Sequence, residues 1–299
     1  MKRRFLVTGT EGQVVGSLVE AVAGRDDLEI VTIGLPDLDL RDTAAIAPAI
    51  EALRPDAILS VAAYTAVDAA ETDEATALAV NGLAPGEIGR AAARLGVPVV
   101  HLSTDYVFDG DKPTPHVETD PTGPIGAYGR TKLAGERALA AATANHAVLR
   151  TAWVYSPFGK NFVRTMLRLA ETRDRVGVVA DQIGNPTSAL DLAAAMLKVT
   201  ENLLADGDPE LRGLFHATGG GEASWADFAA EIFRRSATHG GPSADVEPIP
   251  TSAYPTPAKR PKNSRLDCGR LARVHGIRLP DWRESIDVVV RRLIEDRPA

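Results

Sequence analysis

The chain has 299 residues, of which 44% are apolar, and a formal net charge of −7 at pH 7. This length predicts about two domains of about 150 residues each. The negative charge argues against nucleic acid or an anionic membrane surface as the main partner, whereas a small anionic ligand needs only a local basic pocket. The single cysteine, Cys268, excludes an intrachain disulfide and fits a reducing compartment. With no apolar run long enough to span a bilayer and no apolar stretch of signal-peptide length after Met1, we expect a cytoplasmic protein.

The N-terminal segment predicts a β–turn–α–β unit with a glycine-rich turn. Residues 4–8 are an apolar strand, residues 9–16 (GTEGQVVG) form the turn, and a helix over 13–23 follows. Glycines let a backbone approach a pyrophosphate, and a helix N-terminus offers N–H donors and positive potential. Val15 stands where the third glycine of a Gly-x-x-Gly-x-x-Gly spacing belongs, which affects helix packing more than phosphate contact. The unit predicts a dinucleotide site, and a simple tight turn is the competing interpretation.

An acidic residue, Asp39, follows the second strand, which is predicted over 28–33. A carboxylate at this point can bind the adenosine side of a dinucleotide, and it can equally cap the helix predicted over 43–53. The preference between NADH and NADPH therefore stays open.

Small residues end the third strand, predicted over 57–62. Residues 62–68 (AAYTAVD) would let a flat cofactor lie against the backbone, and a plain strand end is the competing interpretation. A continuous helix is predicted over 74–95. Its Asn81 either bonds to backbone near the site or faces water.

Two segments predict acid–base chemistry. The segment STDYVFDG, residues 103–110, follows an apolar strand, and the segment AYGRTK begins a helix that contains Tyr128 and Lys132. These two residues are four apart and share one helix face, near the hydroxyl of Ser103 or Thr104 at the carboxyl edge of the sheet. A nearby ammonium favours phenolate and so lowers the pKa of a tyrosine. The set predicts proton exchange with a sugar alcohol or ketone, and an exposed Tyr–Lys pair is the competing interpretation.

The βα alternation becomes irregular beyond residue 152. Trp153, directly after a strand, suits stacking on a sugar or base, although a core tryptophan is the alternative. Arg260, next to a proline, presents a guanidinium that suits a diphosphate, although a solvated surface charge is the alternative. Residues 240–262 contain many prolines and are predicted to be a long connection.

These elements predict an α/β fold, a Rossmann-type doubly wound parallel sheet with a smaller, mostly C-terminal α/β substrate-binding domain. We assign residues 1–152, completed by about 183–215, to the dinucleotide-binding domain. Residues 153–182 and 216–299 are assigned to the substrate-binding domain.

With these motifs in place, the chain resembles the extended short-chain dehydrogenase/reductase family over nearly its whole length. Within that family it is most similar to reductases of 4-keto nucleotide sugars. The resemblance is carried by GQV at 12–14, AAYTAVD at 62–68, STDYVFDG at 103–110, YGRTK at 128–132, RTAWVY at 150–155, DQIGNPT at 181–187 and RPKNSRLD at 260–267. A Tyr-x-x-x-Lys match alone is weak, whereas the ordered set is specific.

The resemblance implies reduction of the C4 keto group of dTDP-4-dehydro-L-rhamnose by NADPH or NADH to give dTDP-L-rhamnose. It makes Tyr128 the proton donor, Lys132 the residue that holds the nicotinamide ribose and lowers the pKa of Tyr128, and Thr104 a hydrogen-bond partner of the same oxygen. The cofactor contacts that it implies are Gly9, Gly12, Gln13, Val14, Asp39, Leu40, Ala62, Ala63, Tyr64, Asn81, Tyr128 and Lys132. The implied substrate contacts are Val67, Thr104, Tyr106, Phe108, Trp153, Asn161, Gln182 and Arg260.

Two other functions compete with this one. The first is a nucleotide-sugar epimerase or dehydratase that retains its NAD, and the second is a non-catalytic regulatory subunit of the same fold. The presence of Thr104, Tyr128 and Lys132 favours catalysis. We predict no structural metal, because Val15 and Leu190 stand where acidic ligands occur in some members of the family. The expected partner is a nucleotide-sugar substrate, without nucleic acid or membrane, and the expected assembly is a monomer or homodimer.

Overall fold

The computed structural model describes residues 2–296. Met1 and residues 297–299, at the ends of the two predicted domains, lie outside the described residues. The strands are β1 (Arg3–Thr8), β2 (Leu28–Ile33), β3 (Ala57–Ser60), β4 (Val99–Thr104), β5 (His146–Thr151), β6 (Val154–Tyr155), β7 (Arg175–Val179), β8 (Ile183–Gly184), β9 (Thr187–Ser188), β10 (Gly213–His216), β11 (Ala223–Ser224), β12 (Asp245–Ile249) and β13 (Asn263–Ser264). The α-helices are α1 (Gln13–Val22), α2 (Thr43–Leu53), α3 (Val67–Ala70), α4 (Glu74–Leu78), α5 (Ala84–Leu95), α6 (Ala127–Ala142), α7 (Phe162–Ala170), α8 (Ala189–Ala205), α9 (Trp225–Thr238), α10 (Gly269–His275) and α11 (Trp282–Glu295).

Six parallel strands form the central sheet, in the order β10–β5–β4–β3–β1–β2. Side chains alternate between its faces, so Phe5 and Val7 pack with α1 and α8 on one face. Leu6 packs with α2 and α5 on the other. The strand order reverses between β1 and β3, which is the switch point where doubly wound sheets bind ligands. The predicted fold class is confirmed.

The helix predicted over 74–95 is interrupted by a π-helical turn at Ala79–Leu83, between α4 and α5. Pro85 lies in the first turn of α5 and has no N–H to donate to the carbonyl of Asn81, four residues earlier. Such turns occur frequently at functional sites. Here the turn places the Asn81 side chain, which is 1% exposed, against helix α6.

The second part of the chain has its own hydrophobic cluster, which packs α7, α9 and α11 around β7. Helix α9 begins with the predicted capping box, in which Ser224 and Asp227 satisfy each other's backbone N–H groups. The prediction of a plain connection over 240–262 was wrong, because β12 pairs in parallel with β7 over its whole length. Its exposed residues and its proline hid this strand from the pattern of apolar alternation. No helix within residues 2–296 is long and apolar enough to cross a membrane.

Candidate active site

A cleft of 980 Å³ opens where β1, β3, β4 and β5 end. Its volume is within the range of ligand sites. Of the predicted site residues, its lining includes Gly9, Gly12, Gln13, Val14, Asp39, Leu40, Ala62, Ala63, Val67, Thr104, Tyr106, Tyr128, Lys132 and Trp153. The topology therefore brings six separate stretches of the sequence to one edge of the sheet.

The glycine turn at one side of the cleft fits a dinucleotide diphosphate. Gly9 and Gly12 have φ angles of +97° and +116°, which L side chains rarely adopt. A Cβ at Gly12 would meet nothing within 4 Å, so the backbone there is open to a ligand. Helix α1 follows at once and has no acidic residue in its first turn, so its positive end is available to an anion.

Val15 does not disturb this turn. Its side chain is buried in the hydrophobic cluster between α1 and the sheet. The position where α1 packs closely against a neighbouring segment is Gly16, where a Cβ would lie 2.9 Å from Cγ of Phe158. The displaced third glycine thus packs α1 against the segment after β6, and the phosphate-binding end of the turn is unchanged.

Asp39 lies in the cleft and is paired with Arg41. Its carboxylate accepts hydrogen bonds from the Arg41 backbone and guanidinium at 2.5–3.0 Å, and the guanidinium lowers the pKa of the carboxyl group. The helix-capping interpretation was wrong, because Asp42 occupies the N-cap of α2 and makes no side-chain cap. Both a carboxylate and a guanidinium are therefore available at the end of the cleft where the adenosine is predicted.

Thr104, Tyr128 and Lys132 meet where β4 ends and α6 begins. The Thr104 hydroxyl accepts a hydrogen bond from the Tyr106 N–H at 3.2 Å. Tyr106 packs edge to face on Tyr128, with ring centroids 5.5 Å apart. Glu71 fixes the start of α6, because its Oε1 accepts a hydrogen bond from the Ala127 N–H at 2.8 Å.

The predicted lowering of the Tyr128 pKa by Lys132 was wrong for this structure. Burial raises the pKa of the phenol well above its ordinary value, Asp105 raises it further, and Thr104 opposes the shift. The ammonium of Lys132 is engaged elsewhere, since Nζ donates to the Leu102 carbonyl at 2.6 Å. Burial lowers the pKa of Lys132 to about 8, against the opposing effect of Glu136. Tyr128 is thus held as a neutral acid.

Sequence reasoning missed a buried network behind Lys132. Glu136, one helical turn further along α6, receives two hydrogen bonds from the Arg150 guanidinium at 2.9 and 2.7 Å. It also accepts one from the Ser103 hydroxyl at 2.5 Å. The four-residue spacing from Lys132 was the only signal for Glu136, since its partners lie on β4 and β5. The network fixes α6 to the strand ends that carry the site.

The structure corrects the prediction for Phe108. Its side chain is 1% exposed and does not line the cleft. The ring stacks on His116 with a centroid distance of 4.1 Å, and the Arg150 guanidinium lies 4.9 Å from its centroid. Phe108 therefore supports the buried network instead of contacting a ligand.

Five other predicted residues lie outside the cleft lining. Asn161 caps α7 by accepting from the Arg164 N–H at 3.2 Å, and Gln182 donates to the Thr251 hydroxyl at 3.0 Å. Arg260 donates to the Asp68 carboxylate at 2.9 Å. The remaining two are Tyr64 and Asn81.

Asn81 joins the end of the third strand to α6. Its amide exchanges two hydrogen bonds with the Tyr64 backbone, at 2.8 and 3.1 Å, and donates to the Thr131 hydroxyl at 3.3 Å. The water-facing interpretation was therefore wrong. Asn81 and Tyr64 position the cleft wall from behind.

Trp153 is held in the cleft wall by contacts with two neighbours. It is one of two non-glycine residues with positive φ within residues 2–296, at +49°. Its ring stacks on Trp225, with centroids 3.6 Å apart and an angle of 11° between the planes. A Cβ at Gly184 would lie 2.5 Å from its Cε2 atom. The indole is thus fixed from two sides in a strained backbone conformation.

We expect Trp225→Ala to weaken binding of a ligand that stacks on Trp153 about tenfold, because an aromatic pair contributes about 0.5–1.5 kcal/mol beyond its buried area. Cofactor affinity should not change. Titration calorimetry with each ligand tests this, and circular dichroism should show loss of the signal from the two coupled indoles. If the affinities for both ligands decrease equally, the substitution has destabilised the fold in general. Trp282→Phe, at a buried tryptophan outside the cleft lining, is the matched control.

Comparisons with known proteins agree with this geometry. Residues 3–294 match the family model described as the RmlD substrate binding domain. The dTDP-4-dehydrorhamnose reductase of Sinorhizobium fredii is 51% identical over 291 residues, which cover 97% of this chain and 96% of that protein.

Two solved structures are also similar over nearly the full length. The crystal structure of a Clostridium acetobutylicum dTDP-4-dehydrorhamnose reductase superposes with a TM-score of 0.90 at 37% identity, covering 97% of this chain and 99% of that one. The Bacillus anthracis dTDP-4-dehydrorhamnose reductase in complex with NADP gives a TM-score of 0.88 at 32% identity and covers the same shares, 97% and 99%. The chain belongs to the dTDP-4-dehydrorhamnose reductase family, which carries the RmlD substrate binding domain.

Proposed function

We propose that this protein reduces the C4 keto group of dTDP-4-dehydro-L-rhamnose with NADPH or NADH, in the cytoplasm, to give dTDP-L-rhamnose. The observation that carries the proposal is the meeting of Thr104, Tyr128 and Lys132 in one cleft, between a diphosphate-binding turn and Trp153. The named activity of full-length relatives supports the choice of sugar nucleotide.

The cofactor site is built from residues that fit a dinucleotide. The turn from Gly9 to Val14 would hold the diphosphate, and Ala62 and Ala63 would lie under the adenosine side. The ammonium of Lys132, which lies against the Leu102 carbonyl near the end of β4, would hold the nicotinamide ribose. When bound, the reduced nicotinamide supplies the hydride.

The protein's own part in the reaction is to hold a proton at the right atom. Tyr128 remains protonated because burial raises its pKa, so it can donate to the oxygen at C4 as negative charge develops there. Thr104 stabilises the same oxygen by a hydrogen bond. Val67, Tyr106 and Trp153 line the cleft and would contact the sugar nucleotide.

Arg260 is proposed to bind the diphosphate of the substrate by exchanging its present partner. Its guanidinium now bonds to Asp68 at 2.9 Å, and both side chains keep partial exposure, 21% and 42%. A partly exposed pair of this kind contributes little to stability. A diphosphate with several acceptor oxygens would compete effectively for the guanidinium.

The direct test measures the absorbance of NADPH and NADH with a panel of 4-keto nucleotide sugars. We expect stoichiometric oxidation of the cofactor with dTDP-4-dehydro-L-rhamnose and slower oxidation with other sugars. Protein that purifies with tightly bound NAD and consumes no reduced cofactor would indicate an epimerase or dehydratase. A protein that binds neither ligand would indicate the regulatory alternative.

We expect Arg41→Ala to weaken NADPH binding about tenfold and NADH binding much less, because only NADPH carries a ribose phosphate. Loss of one hydrogen bond to a charged group costs about 1.5–3 kcal/mol. Asp39→Ala should shift the preference the other way, since it frees Arg41 and removes the acceptor for a ribose hydroxyl. Calorimetric titration of both cofactors measures the ratio, with Arg90→Ala, an exposed arginine outside the cleft, as the control. If neither Arg41→Ala nor Asp39→Ala alters the ratio of the NADPH and NADH affinities, the assignment of these two residues to the adenosine ribose is contradicted.

A further inference from the structure

The carboxyl group of Asp105 is buried inside the active site. Asp105 is 3% exposed and lines the cleft next to Thr104. Its Oδ1 accepts a hydrogen bond from the Thr104 hydroxyl at 2.9 Å. Its Oδ2 is buried and has no hydrogen-bond partner within residues 2–296. A buried ionised carboxylate with an unsatisfied oxygen is costly, and protonation of the group on Oδ1 would remove much of the cost, because the oxygen without a partner would no longer carry charge.

Polar but uncharged groups face this carboxyl from each neighbouring element. They are the hydroxyl of Thr104 at the end of β4, the hydroxyl of Ser264 on β13 and the phenol of Tyr128 on α6. The phenol of Tyr106, the next residue, is neutral because burial raises its pKa.

Lys132 on α6 and Arg260, in the segment before β13, are bonded to other groups. Lys132 donates to the Leu102 carbonyl and Arg260 to Asp68. No salt bridge to Asp105 occurs among the described residues 2–296. In these surroundings, burial raises the pKa of Asp105 to about 6, against the opposing effects of the Ser264 and Thr104 hydroxyls.

The protonation state of Asp105 decides the direction of the Thr104 hydrogen bond. A threonine hydroxyl has one hydrogen to donate and two lone pairs. One lone pair accepts from the Tyr106 N–H at 3.2 Å. If Asp105 is ionised, the hydroxyl hydrogen of Thr104 points at Oδ1 and away from a substrate oxygen. If Asp105 is protonated, it donates to the second lone pair and leaves that hydrogen available.

We propose that Asp105 is a positioning residue that acts in its protonated form, donating a hydrogen bond to Thr104 so that Thr104 donates to the carbonyl oxygen at C4. This inference rests on the proposed function, since it deepens the role of Thr104 in that reaction. The hydrogen bonds then run from Asp105 to Thr104 and from Thr104 to the substrate oxygen. Tyr128 donates to the same oxygen from α6. No proton leaves Asp105 during turnover.

A requirement for protonated Asp105 determines how kcat/KM should change with pH. Asp105 is protonated below its pKa, so kcat/KM should be highest at low pH and fall as the pH rises through that pKa. The fall should approach about tenfold per pH unit. A second fall, from deprotonation of Lys132, should follow near pH 8. Tyr128 adds no step in this range because its pKa is raised.

Two substitutions test the proposal with opposite expected effects. In Asp105→Asn the amide is a permanent donor to Thr104, so the first fall should vanish and the variant-to-wild-type ratio of kcat/KM should increase with pH. In Ser264→Ala the carboxyl group loses a nearby hydroxyl that lowers its pKa, so the first fall should move to higher pH. Ser252→Ala, at an exposed position in a short 3-10 helix, should leave the profile as it is. A first fall at the same pH in all four proteins would overturn the proposal.

A spectroscopic readout separates this inference from the proposed function. Infrared difference spectra of wild type minus Asp105→Asn, recorded with oxidised cofactor and dTDP-L-rhamnose bound, should show the carbonyl stretch of a protonated carboxylic acid at pH 6. A carboxylate signal alone would overturn the inference even if the enzyme reduces its substrate normally. Failure to reduce any 4-keto nucleotide sugar would instead reject the proposed function, and the protonation of Asp105 would still be measured.

Discussion

Tyr128→Phe is expected to lower kcat by about 10²–10⁴-fold, because the substitution removes the proton donor and little else. The ring of Phe would keep its edge-to-face packing on Tyr106. Cofactor affinity should be nearly unchanged, since Lys132 and the glycine turn supply the cofactor contacts. Single-turnover oxidation of NADPH and calorimetric titration of the cofactor measure the two quantities separately.

The neighbouring phenol provides the matched control. Tyr106→Phe also removes a hydroxyl from a tyrosine that lines the cleft, yet we expect a far smaller loss of kcat. If both variants lose the same activity, the hydroxyl of Tyr128 has no special role. Wild-type turnover in Tyr128→Phe would likewise reject it as the acid.

Glu136→Gln is expected to destabilise the fold by about 3–5 kcal/mol, because it leaves the Arg150 charge buried without a counter-ion. The Glu136 and Arg150 side chains are 8% and 3% exposed, and their ion pair measures 2.7 Å. One guanidinium nitrogen of Arg150 already lacks a partner among the described residues, so the site has no spare acceptor. Denaturant unfolding followed by circular dichroism measures the change in free energy.

An exposed ion pair that joins α4 to the same helix α6 serves as the comparison. Glu74→Gln breaks a bond of 2.8 Å to Arg130, but both side chains there are nearly half exposed. That substitution should cost no more than about 1 kcal/mol. Equal destabilisation by the two substitutions would contradict the view that Glu136 and Arg150 fix the catalytic helix to the sheet.

The parts of this site that the sequence predicts are those set by local spacing. Tyr128 and Lys132 share a face because they lie one helical turn apart, and the switch-point edge follows from the order of the strands. The helix α2 and the strand β2 begin and end at the predicted residues, because apolar runs bounded by glycine, proline and aspartate determine them.

The parts that sequence reasoning missed depend on distant partners. Phe108 belongs to a conspicuous motif, but only the fold shows that its ring stacks under Arg150 and against His116. The raised pKa of Tyr128 reflects desolvation of the phenol within the cleft and the nearby carboxyl of Asp105, which no spacing reports. Asp105 directly follows the predicted Thr104, yet its importance depends on burial and on an oxygen without a partner.

Hydride transfer in this cleft, from a dissociable cofactor to C4 of a keto sugar with Tyr128 supplying the proton, can be followed by isotope labelling. Mass spectrometry of the product formed with NADPH that is deuterated at the transferred position tests it most directly. We expect one deuterium at C4 of dTDP-L-rhamnose for each NADPH consumed, and almost no product with Tyr128→Phe. Product without deuterium, formed with no net consumption of NADPH, would contradict it.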